Sequence, residues 1–303
     1  MRRLEGRIAI VTGAGQGLGR SHALHLAAQG ASVVVNDLGA AVHGGSLGHS
    51  PAQQVVDEIT RQGGRAVASA HDVADWKQAG ELVDVALRTF GDLHVLVNNA
   101  GIIRDRTLAN MTETEWDDVI RVHLKGHAAP THHALAYWRD RAKAGQEVKA
   151  SVVHTTSAAG LAGNFGQANY SAAKLGIVAL SRVVALEAGS YGVRSNVISP
   201  SARTRMSLSV PGGEDSLKPP TDPSQIDVFD PQNVSPTVGW LAEKDCPATA
   251  QIFHIIGNRL LVMSMPAIAH DLRTERRWKA EELDRELRNK LVKPPLVEEF
   301  IKC

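Results

Sequence analysis

Near its beginning the chain reads Arg7-Ile-Ala-Ile-Val-Thr-Gly-Ala-Gly-Gln-Gly-Leu-Gly19. The first six residues form a short apolar run that is typical of a buried parallel strand, and the residues after Gly19 read as a helix. A strand, a glycine turn and a helix in that order present free backbone N–H groups and the positive end of the helix dipole to a pyrophosphate. The stretch therefore predicts a dinucleotide site. Its expected contacts are Gly13, Gln16, Gly17, Leu18 and Gly19.

The second predicted strand, residues 32–36, ends at Asp37. An acidic residue about 20 positions beyond a glycine turn, at the tip of the second strand, is placed to accept hydrogen bonds from the adenosine ribose hydroxyls. A 2′-phosphate there would meet the carboxylate, and the turn from Gly13 to Gly19 contains no basic residue to offset the repulsion. We therefore expect NAD as the cofactor and regard NADP as the less favoured one.

Predicted strands and helices alternate throughout the first hundred residues. Such alternation indicates an α/β protein with a Rossmann-like, doubly wound parallel sheet, to which residues 151–156, 193–199 and 251–256 would add strands. We expect a single catalytic domain over residues 1–262. A C-terminal helical extension would follow over residues 263–303.

Two later segments depart from this alternation. Six of the thirteen prolines fall between Pro211 and Pro236, and a long loop after the sixth strand is more often a mobile substrate lid than a linker. We therefore predict a substrate lid over residues 207–236. In the extension, a helix is predicted over residues 274–290. Leu283, Leu287 and Leu291 would share one helical face, which we expect to dock on the body or on a neighbouring subunit.

A third stretch carries groups that suit acid–base chemistry. Ser157 ends the β-rich run of residues 151–157, at the carboxyl end of a strand, where open α/β sheets place ligands. Tyr170 and Lys174 are four residues apart at the start of a predicted helix, so their side chains project from one face. An ammonium nearby favours the phenolate and would lower the Tyr170 pKa. We expect Tyr170 to exchange a proton with an alcohol or ketone whose oxygen Ser157 hydrogen-bonds.

The composition argues against several other classes. Hydrophobic residues make up 43% and charged residues 21% of the chain, as in ordinary globular proteins, and the net charge of +1 gives no nucleic-acid footprint. Cys246 and Cys303 are the two cysteines, and neither a secretory signal nor an apolar run long enough to span a membrane is seen, so we expect a cytoplasmic protein. His43 and His49 have no nearby carboxylate or cysteine ligands, and we expect no metal site.

Together these motifs occur in the order and spacing of the short-chain dehydrogenase/reductase family, which the chain resembles from Gly6 to Gly257. The motifs are Thr12-Gly-x-x-x-Gly-x-Gly19, Asp72-Val73, Asn98-Asn-Ala-Gly101, Ser157 and Tyr170-x-x-x-Lys174. The resemblance implies a Rossmann core that binds NAD(P), and a homodimer or homotetramer built on the long helices. The catalytic residues would be Ser157, Tyr170 and Lys174. Further cofactor contacts would come from Asp72, Val73, Asn98, Ala100, Gly101, Pro200 and Thr204, together with Tyr170 and Lys174.

Longer segments resemble the subgroup with the (3R)-hydroxyacyl-CoA dehydrogenase part of peroxisomal multifunctional enzyme type 2 and actinobacterial relatives in steroid and lipid degradation. They include Val35-Asn-Asp-Leu-Gly39 and Gly163-Asn-Phe-Gly-Gln-Ala-Asn-Tyr-Ser-Ala-Ala-Lys174. The wider family places an asparagine in the helix Val122-His-Leu-Lys-Gly126 to hold a proton-relay water, whereas here the position is His123, as in the subgroup. We expect His123 or its backbone to hold that water.

The leading hypothesis is NAD-dependent oxidation of a secondary alcohol of the 3-hydroxyacyl-CoA or hydroxysteroid type. For a CoA thioester, the candidate basic groups at the cleft mouth are Arg104, Arg106, Arg203 and Arg205. For a steroid, the candidate apolar wall is Leu161, Phe165, Met206 and Leu208. Two alternatives stay open. An NADPH-dependent 3-ketoacyl reductase is disfavoured by Asp37, and a non-catalytic NAD-binding sensor or scaffold is disfavoured by the intact acid–base pair.

Overall fold

The computed structural model describes residues 2–39, 50–209, 213–222, 224–264 and 266–301. Its strands form one sheet. In chain order they are Ile8–Thr12 (β1), Ser32–Asn36 (β2), Arg65–Ser69 (β3), Val95–Asn98 (β4), Ala150–Thr155 (β5), Val193–Ser201 (β6), Ile252–Ile256 (β7) and Arg259–Met263 (β8). The spatial order is β3-β2-β1-β4-β5-β6-β7-β8, parallel throughout except for the antiparallel β8. The prediction of a Rossmann-like doubly wound sheet is confirmed.

Helices cover both faces of the sheet. They are Gly17–Ala28 (α1), Pro51–Arg61 (α2), Trp76–Phe90 (α3), Glu113–Ile120 (α4), Gly126–Lys143 (α5), Ala158–Ala162 (α6), Ala168–Ala188 (α7), Arg205–Leu208 (α8), Gly213–Ser216 (α9), Ser235–Ala242 (α10), Ala280–Leu287 (α11) and Val297–Ile301 (α12). Apolar side chains of α1, α2 and α10 pack on one face, and those of α3 and α5 on the other. The central strands are therefore buried on both sides, which explains their continuous apolar sequences.

The strand order reverses between the neighbouring strands β1 and β4. From β1 the chain adds β2 and β3 on one side, and from β4 it adds the later strands on the other side. In open α/β sheets, ligands bind in the crevice outside the carboxyl ends of the strands at such a switch point. The glycine turn after β1 and the Asn98-Asn99 pair at the end of β4 both lie at this edge. The topology thus brings together segments that are more than eighty residues apart in sequence.

The helical region around His123 is interrupted. α4 ends at Ile120, a π-helical turn covers Arg121–Lys125, and α5 begins at Gly126. A π-helical turn widens the helix by one residue and is frequent at functional sites. His123 lies within this turn and is fully buried.

The C-terminal region differs from the prediction. A two-residue turn, Gly257-Asn258, connects β7 to the antiparallel edge strand β8, which the sequence analysis did not include. The helix predicted over residues 274–290 is present only as α11. Leu283, Leu287 and Leu291 are 38%, 36% and 76% exposed, so this face does not dock on the described body of the protein.

The segment predicted as a substrate lid, residues 207–236, contains α9 and a 3₁₀ turn at Pro231–Asn233. Leu217 and Phe229 from this segment line the large cavity described below. No helix in the described ranges is long and apolar enough to cross a membrane. In the same part of the chain, no cluster of three or more His, Cys, Asp or Glu side chains is arranged to hold a metal ion. His43, His49 and Cys303 lie outside the described residues.

Candidate active site

A cavity of about 780 Å³ lies at the carboxyl edge of the sheet. It receives most of the side chains and backbone segments that the sequence analysis selected. Those that line it are Gly13, Gln16, Gly17, Leu18, Asp37, Asp72, Val73, Ala100, Gly101, His123, Ser157, Tyr170, Lys174, Pro200 and Thr204. Gly19 and Asn98 are not among its lining residues. The cavity therefore joins the predicted dinucleotide site and the predicted acid–base pair.

The glycine turn after β1 is shaped by close contacts. Gly13 and Gly17 adopt positive φ angles of 60° and 53°, which side chains rarely allow. A Cβ on Gly15 would lie 2.5 Å from Cβ of Pro51 and 2.8 Å from Oδ2 of Asp37. A Cβ on Gly19 would lie 2.2 Å from the Gly13 carbonyl oxygen, so Gly19 allows close packing within the turn rather than lining the cavity.

The Asp37 carboxylate is held at the tip of β2 by two backbone groups. Its Oδ2 accepts a hydrogen bond from the Gly15 N–H at 2.9 Å, and its Oδ1 accepts one from the Gly39 N–H at 2.8 Å. These bonds tie the end of β2 to the glycine turn, and they orient the carboxylate before any ligand binds. Each oxygen keeps acceptor capacity for a further donor.

The two asparagines at the end of β4 have different surroundings. Asn98 is fully buried and donates from Nδ2 to Thr131 Oγ1 at 2.9 Å. Asn99 lines the cavity and donates from Nδ2 to the carbonyl oxygens of Thr12 and Gly13, at 3.0 and 3.2 Å. Successive side chains at a strand end point to opposite sides. Asn99, which the predicted site residues omitted, therefore braces the glycine turn, while Asn98 supports the core behind it.

Ser157, Tyr170 and Lys174 meet where β5 ends and α7 begins. Ser157 precedes α6 and accepts the Ala159 N–H at 3.2 Å with its Oγ, and its side chain also hydrogen-bonds Tyr170. Lys174 is 2% exposed, and its Nζ donates to the Thr155 carbonyl oxygen at 2.7 Å. The same Nζ lies 5.5 Å from the centroid of the Tyr170 ring. All three groups therefore converge on one corner of the cavity.

Burial sets the protonation of this pair. Burial raises the pKa of Tyr170 to about 12, although the hydrogen bond with Ser157 acts in the opposite direction. Burial also lowers the pKa of Lys174 to about 7. The sequence-based expectation was that Lys174 would lower the Tyr170 pKa. Among the groups of this chain, desolvation of the phenolate outweighs any such effect. Lys174 is left able to gain or lose a proton near neutral pH.

The ring of His123, which lies in the π-helical turn, contacts the ring of Tyr170. The two rings meet edge to face with centroids 5.1 Å apart, and His123 Nε2 lies 2.6 Å from the Ile102 carbonyl oxygen. Burial and the nearby Lys174 hold the pKa of His123 well below its usual range, so the imidazole is neutral. A Cβ on Gly101 would lie 2.4 Å from Cε1 of His123, which explains the glycine there. Its buried Nδ1 has no hydrogen-bond partner among the residues that the structure describes.

Two further polar residues of the cavity wall had no role in the sequence analysis. Gln167 donates from Nε2 to Asp105 Oδ2 at 2.9 Å and accepts from Asn164 Nδ2 at 2.9 Å. Asn164 and Gln167 both line the cavity. Their only sequence signal was membership of the segment that leads to Tyr170. Burial raises the pKa of Asp105, and the Asp105 charge in turn raises that of Tyr170.

The arrangement defines a class of protein. A family model described as short chain dehydrogenase matches residues 7–211. This match covers more than half of the chain and includes the glycine turn, Asp37, Ser157, Tyr170 and Lys174. The chain belongs to the short-chain dehydrogenase/reductase family, and it is an oxidoreductase that acts on CH–OH groups.

Comparisons with individual proteins indicate which members of this family the chain is similar to. The chain is 45% identical over 288 residues to the hydroxyacyl-CoA dehydrogenase ChsB1 of Mycobacterium tuberculosis, covering 92% of this chain and 84% of that one. It is 42% identical to the mouse peroxisomal multifunctional enzyme type 2 over 84% of this chain, which is 32% of that protein. A crystal structure of a short chain dehydrogenase from Mycobacterium avium superposes with a TM-score of 0.85 at 46% identity, covering 97% and 98% of the two chains.

Proposed function

We propose that the protein oxidises the hydroxyl group of 3-hydroxyacyl-CoA thioesters to the ketone with NAD. The observation that carries the proposal is the convergence of Ser157, Tyr170, Lys174 and Asp37 on one cavity. The similarity to ChsB1, which is named a hydroxyacyl-CoA dehydrogenase, supports the substrate class. A hydroxysteroid is the second substrate class that the same chemistry would serve.

The cavity fits a dinucleotide. Gly13 and Gly17 have positive φ angles, and α1 begins at Gly17, so the backbone of the turn and the helix N-terminus can approach a pyrophosphate closely. Asp37 would hold the adenosine ribose, and Thr204 and Pro200 would lie along the other end. The Asp37 carboxylate supports NAD over NADP, because a 2′-phosphate at that position would bring two anions together. When bound, the dinucleotide accepts the hydride from the carbinol carbon.

The chain's own residues would handle the proton. The deprotonated form of Tyr170 takes the hydroxyl proton as the general base, while the Ser157 hydroxyl donates a hydrogen bond to the substrate oxygen and holds it in place. The interaction with the Ser157 hydroxyl lowers the pKa of Tyr170 and so favours the phenolate. Lys174, with a pKa of about 7, would pass the proton onward at neutral pH. His123 would hold a relay water with its unpartnered Nδ1.

The four candidate arginines differ in the structure. Arg106 pairs with Glu115 at 2.8 Å, and Arg203 pairs with Asp227. Arg104 lies 3.4 Å from Asp118. Arg205 lines the cavity, and in the described part of the chain it has no carboxylate partner. It is therefore the arginine that we assign to the phosphates of the CoA moiety.

The apolar candidates for a steroid site also differ in whether they line the cavity. Met206 lines the cavity, whereas Phe165 is 90% exposed and is not part of the wall. Other apolar side chains, among them Leu217 and Phe229, also line the cavity, so its apolar lining does not distinguish the two substrate classes. The available arginine at the cavity therefore favours the thioester over a free hydroxysteroid.

The test is an assay of 3-hydroxyacyl-CoAs and hydroxysteroids with NAD and with NADP, followed by absorbance of the reduced nicotinamide. We expect thioester oxidation with NAD, and a loss of turnover of about 100-fold or more in Tyr170→Phe. Turnover by a folded Tyr170→Phe protein at the wild-type rate would disprove the role of Tyr170. Binding of NAD without turnover of any substrate would favour the sensor alternative, and a preference for NADPH would favour the ketoacyl reductase.

The proposal extends to the oligomeric state, the domain organisation and the location of the protein. Leu175, Val183 and Leu186 expose 51%, 47% and 67% of their surface along α7, which supports a homodimer or homotetramer built on this helix. Residues 1–262 would be the catalytic domain, residues 207–236 its substrate lid, and residues 263–303 an extension. The small number of cysteines supports a cytoplasmic location.

A further inference from the structure

The C-terminal extension returns to the body of the protein at its last helix. Leu283 and Leu287 in α11 are more than a third exposed, whereas Phe300 in α12 is 5% exposed. α12 packs against α6, the short helix that begins directly after Ser157. The end of the extension is therefore seated beside the catalytic corner, although the segment that leads to it lies at the surface.

His254 on β7 anchors this last helix. Its Nε2 lies 3.0 Å from the Phe300 carbonyl oxygen, and its Nδ1 lies 3.0 Å from Ser199 Oγ. A carbonyl oxygen only accepts, so Nε2 donates to Phe300, and the Ser199 hydroxyl donates to Nδ1. The rings of His254 and Phe300 also meet edge to face, with centroids 5.4 Å apart. A buried imidazole with both nitrogens bonded thus joins α12 to the strand that carries Pro200.

The anchored helix presents one side chain to the cavity. Val297 precedes Phe300 by three residues, which places both on the same side of one helical turn. Val297 lines the same cavity as Ser157 and Tyr170, and so do Ala158 and Ala159 of α6. α6 and α12 therefore supply a continuous apolar wall next to the reacting groups.

The charges around this wall indicate which part of a substrate it meets. Glu298 and Glu299 follow Val297 directly and are exposed. Carboxylates repel the phosphates of a CoA moiety, whereas Arg205 at the cavity attracts them. An acyl thioester would therefore turn its phosphates toward Arg205 and its hydrocarbon part toward α12.

We propose that α12 is the wall against which the acyl chain of the substrate packs, and that Val297 is a specificity-determining residue for acyl length. The proposal rests on the proposed oxidation of 3-hydroxyacyl thioesters. It assigns the end of the extension to the substrate site of its own chain. Since an apolar pocket discriminates by the volume it leaves free, a larger side chain at this position would exclude longer acyl chains.

The experiment compares Val297→Trp with Val292→Trp, a matched control in the same extension at a valine that is 68% exposed. Initial rates are measured with NAD and with a short-chain and a long-chain 3-hydroxyacyl-CoA. We expect Val297→Trp to raise the KM of the long substrate about tenfold or more, while the KM values of the short substrate and of NAD stay unchanged. Val292→Trp should match the unmodified protein with both substrates.

A second variant tests the anchor. Phe300→Ala removes the buried ring and should raise the KM of the long substrate while kcat with the short substrate is retained. No change in either variant, or an equal change with short and long substrates, would overturn the assignment of Val297 and α12. If the unmodified protein oxidises no thioester of either length, the proposed function itself fails, and the assignment fails with it.

Discussion

Replacing Lys174 with methionine should abolish alcohol oxidation and at the same time stabilise the fold. The lysine is 2% exposed, and its Nζ hydrogen-bonds the Thr155 carbonyl oxygen at 2.7 Å. Burial lowers its pKa from 10.5 to about 7. In the unfolded chain the same amine is hydrated and fully charged at neutral pH. The folded state therefore carries an energetic cost that the unfolded state does not.

The magnitude follows from the two pKa values. Between 10.5 and about 7, at about 1.4 kcal/mol per tenfold change, the cost at pH 7 is about 4 kcal/mol. Methionine removes this cost but leaves the Thr155 carbonyl without its donor, which costs about 1–3 kcal/mol. We expect the free energy of unfolding to rise by about 2 kcal/mol at neutral pH.

The pH dependence provides a second readout of the same group. Because the folded pKa lies below the unfolded one, the unfolded chain binds more protons between pH 7 and 10.5, so the stability of the wild type rises with pH in that window. Lys174→Met should lack this slope. Urea unfolding at one fixed protein concentration, at about pH 7 and about pH 9, measures both effects. Lys125→Met, at an exposed lysine, is the matched control. A Lys174→Met protein that is less stable than the wild type at pH 7, with the wild-type slope, would refute the reasoning.

Other expected outcomes concern the cofactor, the substrate and the acid–base pair. Gly15→Ala should raise the KM of NAD about tenfold, because its Cβ would lie 2.5 Å from Pro51 Cβ, and initial rates at varied NAD check this. Arg205→Ala should raise the KM of a CoA thioester about tenfold but not that of the N-acetylcysteamine thioester of the same acid, and Arg106→Ala should change neither. Alcohol oxidation should accelerate and ketone reduction should slow as pH rises, because burial raises the pKa of Tyr170 to about 12 and oxidation requires its proton to leave. A rate profile that is flat in both directions would contradict that assignment.

The features that the sequence predicted well are set by residues close together in the chain. The glycine turn needs backbone conformations that its own residues determine, and Asp37 follows from the end of the next strand. The distinction between Asn98, which the sequence analysis selected, and Asn99, which lines the cavity, was not predicted. It depends on which of two successive side chains faces the cavity, and that is fixed by the register of β4 against β1 and β5. A one-residue difference at a strand end exchanges the two faces.

The features that the sequence did not predict depend on packing at a distance. The π-helical turn at Arg121–Lys125 has no local signal in the sequence, and the contact that its His123 makes with Ile102 joins residues that are distant in the chain. The edge strand β8 did have one, since a Gly-Asn pair between apolar runs favours a tight hairpin. The extension has helical periodicity over residues 274–290, but without an apolar partner most of it gains too little from burial to be helical.

The protonation states of Tyr170 and Lys174 show most clearly what spacing along the sequence does not predict. A tyrosine and a lysine four residues apart suggest that the ammonium lowers the phenol pKa, which holds when both groups are hydrated. Here β5 and α7 bury Lys174 fully and Tyr170 in part, and desolvation changes each pKa toward the neutral form, to about 12 for Tyr170 and about 7 for Lys174. Spacing along a helix therefore predicts which groups meet, whereas the dielectric around them decides which proton moves. At neutral pH it is the lysine, not the phenol, that is closest to its own pKa, so Lys174 rather than Tyr170 is the group that titrates there.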